Sequence, residues 1–252
     1  MSFDVAGDKY GRFMGRYSEP LAVPFAQFAA VAPGQRVLDV GCGPGALTAF
    51  LVTITEPALV SAVDPSPPFV AAASRRCPGV DVRAASAEAL PFADDTFDAA
   101  LAELVVHFMK HPVAGLTDMA RVTRPGGVVA ASVWDGPTGA LAPFWDAVHD
   151  IDPDAKDEAF LAGARMGHLA ELFSNAGLTE VEAETITVDV VHPSFDEWWE
   201  PYTFGVGPAG DYVARLDDAG RARLREVARA RHGDGPFTVS ATAWAARGVA
   251  AQ

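Results

Sequence analysis

The chain has 252 residues, half of them hydrophobic, and a formal net charge of −14. That length is enough to bury one large core and leave room for accessory segments. The acidic balance argues against nucleic-acid partners and anionic membrane surfaces, which both require clustered Lys and Arg, and no run of about 18 uncharged apolar residues is present to span a bilayer.

Taken in chain order, apolar runs predict strands at 36–40, 58–63, 80–83, 97–102 and 127–134. Helical spacing predicts helices near 46–55, 67–76 and 112–123 between them. That alternation implies a doubly wound, mostly parallel sheet with helices on both faces. Met166 to Ala176 reads as a further amphipathic helix closed by Gly177. Two β-rich stretches, Thr179 to Val191 and Phe237 to Arg247, complete the sheet, the last of them antiparallel. Ligands of such sheets bind at the carboxyl ends of the strands near the switch point, which gathers Gly41, Asp64 and Glu103.

The run Val37-Leu38-Asp39-Val40-Gly41-Cys42-Gly43-Pro44-Gly45-Ala46 is the most informative segment. A buried strand stops in glycines and restarts as a helix, which is expected to aim backbone N–H groups at a docked ligand. Glycine there lets the ligand approach the main chain closely. The string Gly41-Cys42-Gly43-Pro44-Gly45-Ala46 satisfies the dinucleotide pattern G-x-G-x-x-G/A, so an NAD-linked oxidoreductase is one reading. Asp39 favours another, because a carboxylate at this strand end repels a pyrophosphate and suits a ligand whose nearby part is cationic. Asp64, closing the next strand, suits ribose hydroxyls in either case.

Val37 to Gly45 resembles the first motif of class I S-adenosylmethionine-dependent methyltransferases, in particular their small-molecule, ubiquinone/menaquinone-type members. Their cofactor carries a sulfonium and an ammonium group and no phosphate. Val63-Asp64-Pro65-Ser66 is similar to the second motif, whose acidic residue holds both ribose hydroxyls, and Ser86-Ala87-Glu88-Ala89-Leu90-Pro91-Phe92 to the segment beside the adenine. Phe97 to Leu101 with Leu104 to His107 resembles the fourth strand and its turn, and Ala120 to Gly127 the helix end before the fifth. Ser86 stands where Asp is usual, so the adenine amino group is left to Glu88 or a backbone carbonyl; Ala102-Glu103 and His111-Pro112 also depart from the pattern. The resemblance implies a seven-stranded Rossmann-like fold with helical inserts forming a lid. It places Asp39, Gly41, Cys42, Gly43, Gly45, Asp64, Pro65, Ser66, Ser86, Ala87, Glu88 and Glu103 around the cofactor, whose product form is S-adenosylhomocysteine. Residues 8–17 are similar to an N-terminal lid, from which Arg16 or Arg12 reaches the methionine carboxylate or stays solvated.

The expected organisation is thus a helical lid segment, 1–33, and a methyltransferase domain, 34–252, with inserts at about 136–165 and 192–236. Phe195, Trp198, Trp199, Tyr202 and Phe204, with Trp134, Phe144 and Trp145, either pack these inserts down or wall an apolar acceptor pocket. Arg221, Arg225 and Arg229 repeat at helical spacing opposite Leu224, Val227 and Ala228, a solvated basic helix face rather than a nucleic-acid site. His107 and His111 straddle a strand-to-helix turn, which is a poor metal pair, and Cys42 and Cys77 suggest neither disulfide nor metal.

The expected reaction is in-line displacement of a methyl group onto a small-molecule acceptor, with proximity and alignment supplying most of the rate. A base is required only if the acceptor must lose a proton, and His107 is the candidate by motif position. A non-catalytic cofactor-binding protein is the other alternative. Met1-Ser2-Phe3-Asp4-Val5 carries neither the basic nor the apolar part of a secretory signal, so a cytoplasmic address is expected. A homodimer is compatible with these readings.

Overall fold

A computed structural model describes residues 11–251. A short π-helical turn, Gly11–Gly15, leads into α1 (Arg16–Phe28). There follow β1 (Val37–Val40), α2 (Ala46–Ile54), β2 (Val60–Asp64), α3 (Pro67–Arg76), β3 (Asp81–Ala84), β4 (Phe97–Glu103), α4 (Pro112–Val122) and β5 (Thr123–Trp134). The remainder comprises α5 (Ala142–His149), α6 (His168–Asn175), β6 (Thr179–His192), α7 (Phe195–Trp199), α8 (Gly207–Arg215), α9 (Asp218–His232) and β7 (Phe237–Val249).

The seven strands form one sheet in the order β3-β2-β1-β4-β5-β7-β6. β3 through β5 are parallel, and β7 runs antiparallel between β5 and β6. The chain reverses its winding between β1 and β4, and the cleft at that switch point opens at the strand carboxyl ends. The expected elements are present, including the antiparallel final strand.

Side-chain alternation splits the core into two layers. Leu38, Val40, Ala100 and Ala102 face α4 and α6, whereas Val37, Ala99 and Leu101 face α1 and α2. Four-residue spacing along α1 puts Tyr17, Leu21 and Phe25 on one fully buried stripe. Residues 16–28, expected within a covering segment, are therefore built into the main core; residues 1–10 of that expected lid lie outside the described residues.

The aromatics of the inserts follow mostly the packing reading. Phe144 stacks on Tyr202 at 4.4 Å between centroids, and Phe195, Trp198 and Trp199 are buried against them. On α9, Leu224 and Ala228 are buried, while Arg225 and Arg229 reach Asp196 at 2.6 and 2.5 Å. The basic face is surface ion pairing, as its spacing predicts. Among the described residues no helix is long and apolar enough to cross a membrane.

Candidate active site

Five strand ends converge on one edge of the sheet. Gly41 follows β1, Asp64 ends β2, Ser86 follows β3, Glu103 ends β4 and Trp134 ends β5. Between the first four lies a cleft of about 300 Å³ lined by Gly41, Gly43, Asp64, Pro65, Ser66, Ser86, Ala87, Glu88 and Glu103, together with Phe69, Val105, Phe108, Met109 and Lys110. Sequence reasoning missed the last five. Phe69 and Met109 sit on helix and turn positions that read as ordinary apolar packing, and only the fold turns them into the cleft.

The glycine loop does not present its N–H groups as expected. Gly41 and Cys42 both donate to Val63 O, at 2.8 and 2.9 Å, and Gly45 donates to Cys42 O at 2.9 Å. Gly43 donates to Asp64 Oδ2 at 2.9 Å. These four donors are taken up within the protein, as buried backbone groups usually are, so the glycine turn itself does not offer them to a pyrophosphate.

The glycines serve close packing. Gly41 has φ +73°, and a Cβ there would lie 2.5 Å from both Val105 Cγ atoms. Gly45, expected among the cofactor contacts, faces Ala73 of α3, where a Cβ would make an ordinary contact at 3.4 Å; its φ of +91° is what favours glycine. Cys42 is buried and borders a recess beside the cleft, along with Ser18, Asp39 and Glu103.

Asp64 is held by two backbone donors, Gly43 N–H and Ser66 N–H, the latter at 2.8 Å. Burial raises its pKa against those two hydrogen bonds. A carboxylate has about four acceptor positions, so two are left for a ligand. Glu88 accepts from His111 N–H at 3.1 Å; burial pushes it up, but this bond, its own backbone N–H, the Ser86 hydroxyl and Lys110 N–H hold it lower than usual.

Asp39 lies deeper than the sequence implied. It shares the face of Val37, accepts the Thr48 hydroxyl of α2 at 2.5 Å and is 1% exposed. Burial first, and then the Asp64 charge against the Thr48 bonds, raise its pKa to about 7. Glu103 goes further. It is 9% exposed, neither carboxylate oxygen has a hydrogen-bond partner, and burial next to Asp39 drives its pKa far above the carboxylate range. A buried carboxylate without partners is costly until a cation or donor reaches it.

Arg16 does not join this cleft. Its guanidinium pairs with Glu197 at 2.6 Å and His192 Nδ1 at 2.9 Å, while Tyr17 OH meets His192 Nε2 at 2.9 Å. The carboxylate and imidazole on the far side of α1 are stronger local partners than solvent, so the expected reach toward a methionine carboxylate is absent. Arg12 likewise pairs with Glu200 at 2.6 Å.

His107 lines a second, smaller chamber next to the cleft, with Leu104 and Phe108 bordering both. Its volume is about 30 Å³, room for one or two water molecules. Burial lowers the His107 pKa to about 3, and Nδ1 has no partner. The imidazole is thus neutral, a hydrogen-bonding group that holds a proton poorly. Trp134 is the insert-region aromatic that does line this chamber, together with Glu158, which no sequence pattern singled out.

Residues 38–131 match the family described as a methyltransferase domain. An uncharacterized protein of Mycobacterium tuberculosis is 30% identical over 229 residues, 86% of this chain and 82% of that protein. Demethylmenaquinone methyltransferase of Renibacterium salmoninarum is 39% identical over 147 residues, 56% of this chain and 57% of that enzyme. Among solved structures, a SAM-dependent methyltransferase of Thermotoga maritima covers 96% of this chain and 95% of its own at TM-score 0.59 and 18% identity, a likeness of fold. Sheet order, cleft and relatives agree, and the chain belongs to the class I S-adenosylmethionine-dependent methyltransferases.

Proposed function

We propose that this chain methylates a small, largely apolar acceptor seated in the chamber beside the cofactor cleft. The observation that carries this reading is Glu103, whose two unpartnered oxygens stand at the junction of cleft and recess. Burial keeps Glu103 neutral until a cation reaches it, so with Asp39 behind it the site gains charge pairing from a cationic ligand and none from a phosphate. S-adenosylmethionine brings an already activated methyl carbon on a sulfonium, and an ammonium group besides.

The residues fit that cofactor. Asp64 is oriented by Gly43 and Ser66 to accept ribose hydroxyls, with Pro65 shaping the turn. Ser86, Ala87 and Glu88 edge an apolar slot, completed by Phe69 and Met109, that suits a flat base. Gly41 and Gly43 keep the loop thin where the cofactor passes, and Cys42 closes the recess below it. His107 orients the acceptor by hydrogen bonding through Nδ1. The chamber walls come from residues 11–15, from the insert at about 136–165 and from the start of α8; closed, the chamber holds only about 30 Å³, so these segments form a cover that must part to seat the acceptor. Cytoplasmic action belongs to the same reading and is supported by two free, buried cysteines.

Isothermal calorimetry tests it. S-adenosylmethionine and S-adenosylhomocysteine are expected to bind the protein and NAD is not; binding of NAD alone would overturn the assignment. Conversion of S-adenosylmethionine to S-adenosylhomocysteine across an acceptor panel separates an enzyme from a non-catalytic binder. The chain spans just over half of the demethylmenaquinone enzyme it matches, and a quinone-type acceptor is accordingly one arm of that panel.

A further inference from the structure

We propose that Glu158 is the catalytic base of the transfer, and that the acceptor is a neutral, mostly apolar molecule carrying an acidic hydroxyl, of phenol or enol type, placed between Glu158 and His107. The inference rests on the methyltransferase reading and specifies its second substrate.

The chamber composition carries the argument. Its walls are apolar or aromatic, with Phe13, Trp134, Leu141 and Val206 among them, and its two ionisable side chains are His107 and Glu158. No Lys or Arg lines it, so an anionic acceptor would be buried without a counter-charge. A protonated amine would lose its hydration among these apolar walls, whereas a neutral hydroxyl surrenders less. The aromatic walls suit a flat ring.

Glu158 is free to act. Its carboxylate has no hydrogen-bond partner among the described residues, although it borders both the chamber and the adjoining recess near Trp145. The titratable groups around it are Asp157, which itself contacts His149 at 3.7 Å, together with His107 and the buried Tyr202. Burial, aided by the Asp157 charge, holds Glu158 up near about 7, within reach of an acidic hydroxyl. His107, held neutral by burial, is the weaker proton acceptor and the better orienting group.

The step balances on named atoms. The acceptor O–H proton passes to the Glu158 carboxylate, an oxygen lone pair forms the new O–C bond, and the carbon–sulfur bond breaks with its electron pair left on sulfur. Glu158 returns its proton to solvent when the chamber opens.

Three probes on one ring system distinguish the possibilities: 2-naphthol, 2-naphthylmethylamine and 2-naphthoate. With the wild-type protein and S-adenosylmethionine, 2-naphthol is expected to bind saturably, quench tryptophan fluorescence and be methylated in preference to the other two. Glu158→Gln is expected to lower kcat by about 100-fold or more with little change in KM, and to remove one ionisation near pH 7 from the kcat profile, taken at saturating S-adenosylmethionine so that the effect of Asp39 on cofactor binding drops out. Glu158→Asp should keep that ionisation at reduced rate. Calorimetry with S-adenosylhomocysteine on each variant reports an intact fold and cleft. Absence of saturable 2-naphthol binding, preference for the amine or carboxylate, binding without turnover, or an unchanged pH profile in Glu158→Gln overturns this inference while normal cofactor binding leaves the methyltransferase reading standing. Failure of the wild-type protein to bind cofactor overturns that reading instead.

Discussion

Replacing Asp39 with Asn separates folding stability from cofactor binding, because the two respond in opposite directions. Asp39 is 1% exposed and its pKa stands at about 7 against an ordinary 3.8, with burial as the main cause. At about 1.36 kcal/mol per pH unit, ionising it in the folded protein costs on the order of 4 kcal/mol. The folded pKa is raised, so the stability carried by the protonated form is complete below pH 3.8 and is lost as pH rises through 7. Asn keeps an oxygen for the Thr48 hydroxyl but adds an amide N–H2 group without a partner, a penalty of about 1–3 kcal/mol. The net expectation at pH 8 is a cofactor-free variant more stable than wild type by about 1–3 kcal/mol, or roughly 2–12 °C in melting temperature for a chain of this size. At pH 4 the order reverses, since wild-type Asp39 is then neutral and the added amide still lacks a partner. Affinity for S-adenosylmethionine should fall at both pH values. Thermal denaturation by circular dichroism at pH 4, 6 and 8, with parallel calorimetry, reads all of this. Stability curves that do not cross between pH 4 and 8 would refute the argument that burial strains this carboxylate.

Three further outcomes follow from the same geometry. Asp64→Ala should weaken S-adenosylhomocysteine binding by about 1.5–3 kcal/mol for each ribose hydrogen bond lost, and should also loosen Gly43 by removing its acceptor, so calorimetry should show a larger loss than Asp64→Asn produces. Gly41→Ala forces a Cβ to 2.5 Å from Val105 and a left-handed residue to carry a side chain, which costs about 1–2 kcal/mol from the backbone alone; adding Val105→Ala should restore part of the lost cofactor affinity, and no rescue would locate the damage elsewhere. In hydrogen exchange, residues 11–15 and 200–210 should slow when cofactor and acceptor bind, whereas β1 and β4 should be protected throughout; identical exchange in both states would remove the moving cover.

The sequence by itself determined the architecture. Short apolar runs alternating with helical spacing specify parallel strands buried on both faces, and glycine at 41 and 43 marks a turn that needs positive φ, at +73° and +53°. Asp64 was legible because a carboxylate that ends an apolar strand before Pro65-Ser66 lies, by the fold's own rule, at the ligand edge. These are local signals, read within a few residues of backbone. What only the tertiary structure decided are meetings between distant segments. The acceptor of the Gly41 and Cys42 N–H groups is Val63, more than twenty positions away, so these two donors of the glycine turn serve the neighbouring strand and not a ligand. Arg16 was expected in the cleft, but a helix whose Tyr17, Leu21 and Phe25 stripe is buried must carry its arginine to Glu197 and His192. Glu158 lies in an irregular insert with no periodicity to flag it, and it gains meaning only where β4, β5 and two inserts enclose it with His107. Periodicity records which face of an element is buried; it carries no record of what that face meets, because the encounter depends on loop paths and packing across the whole sheet.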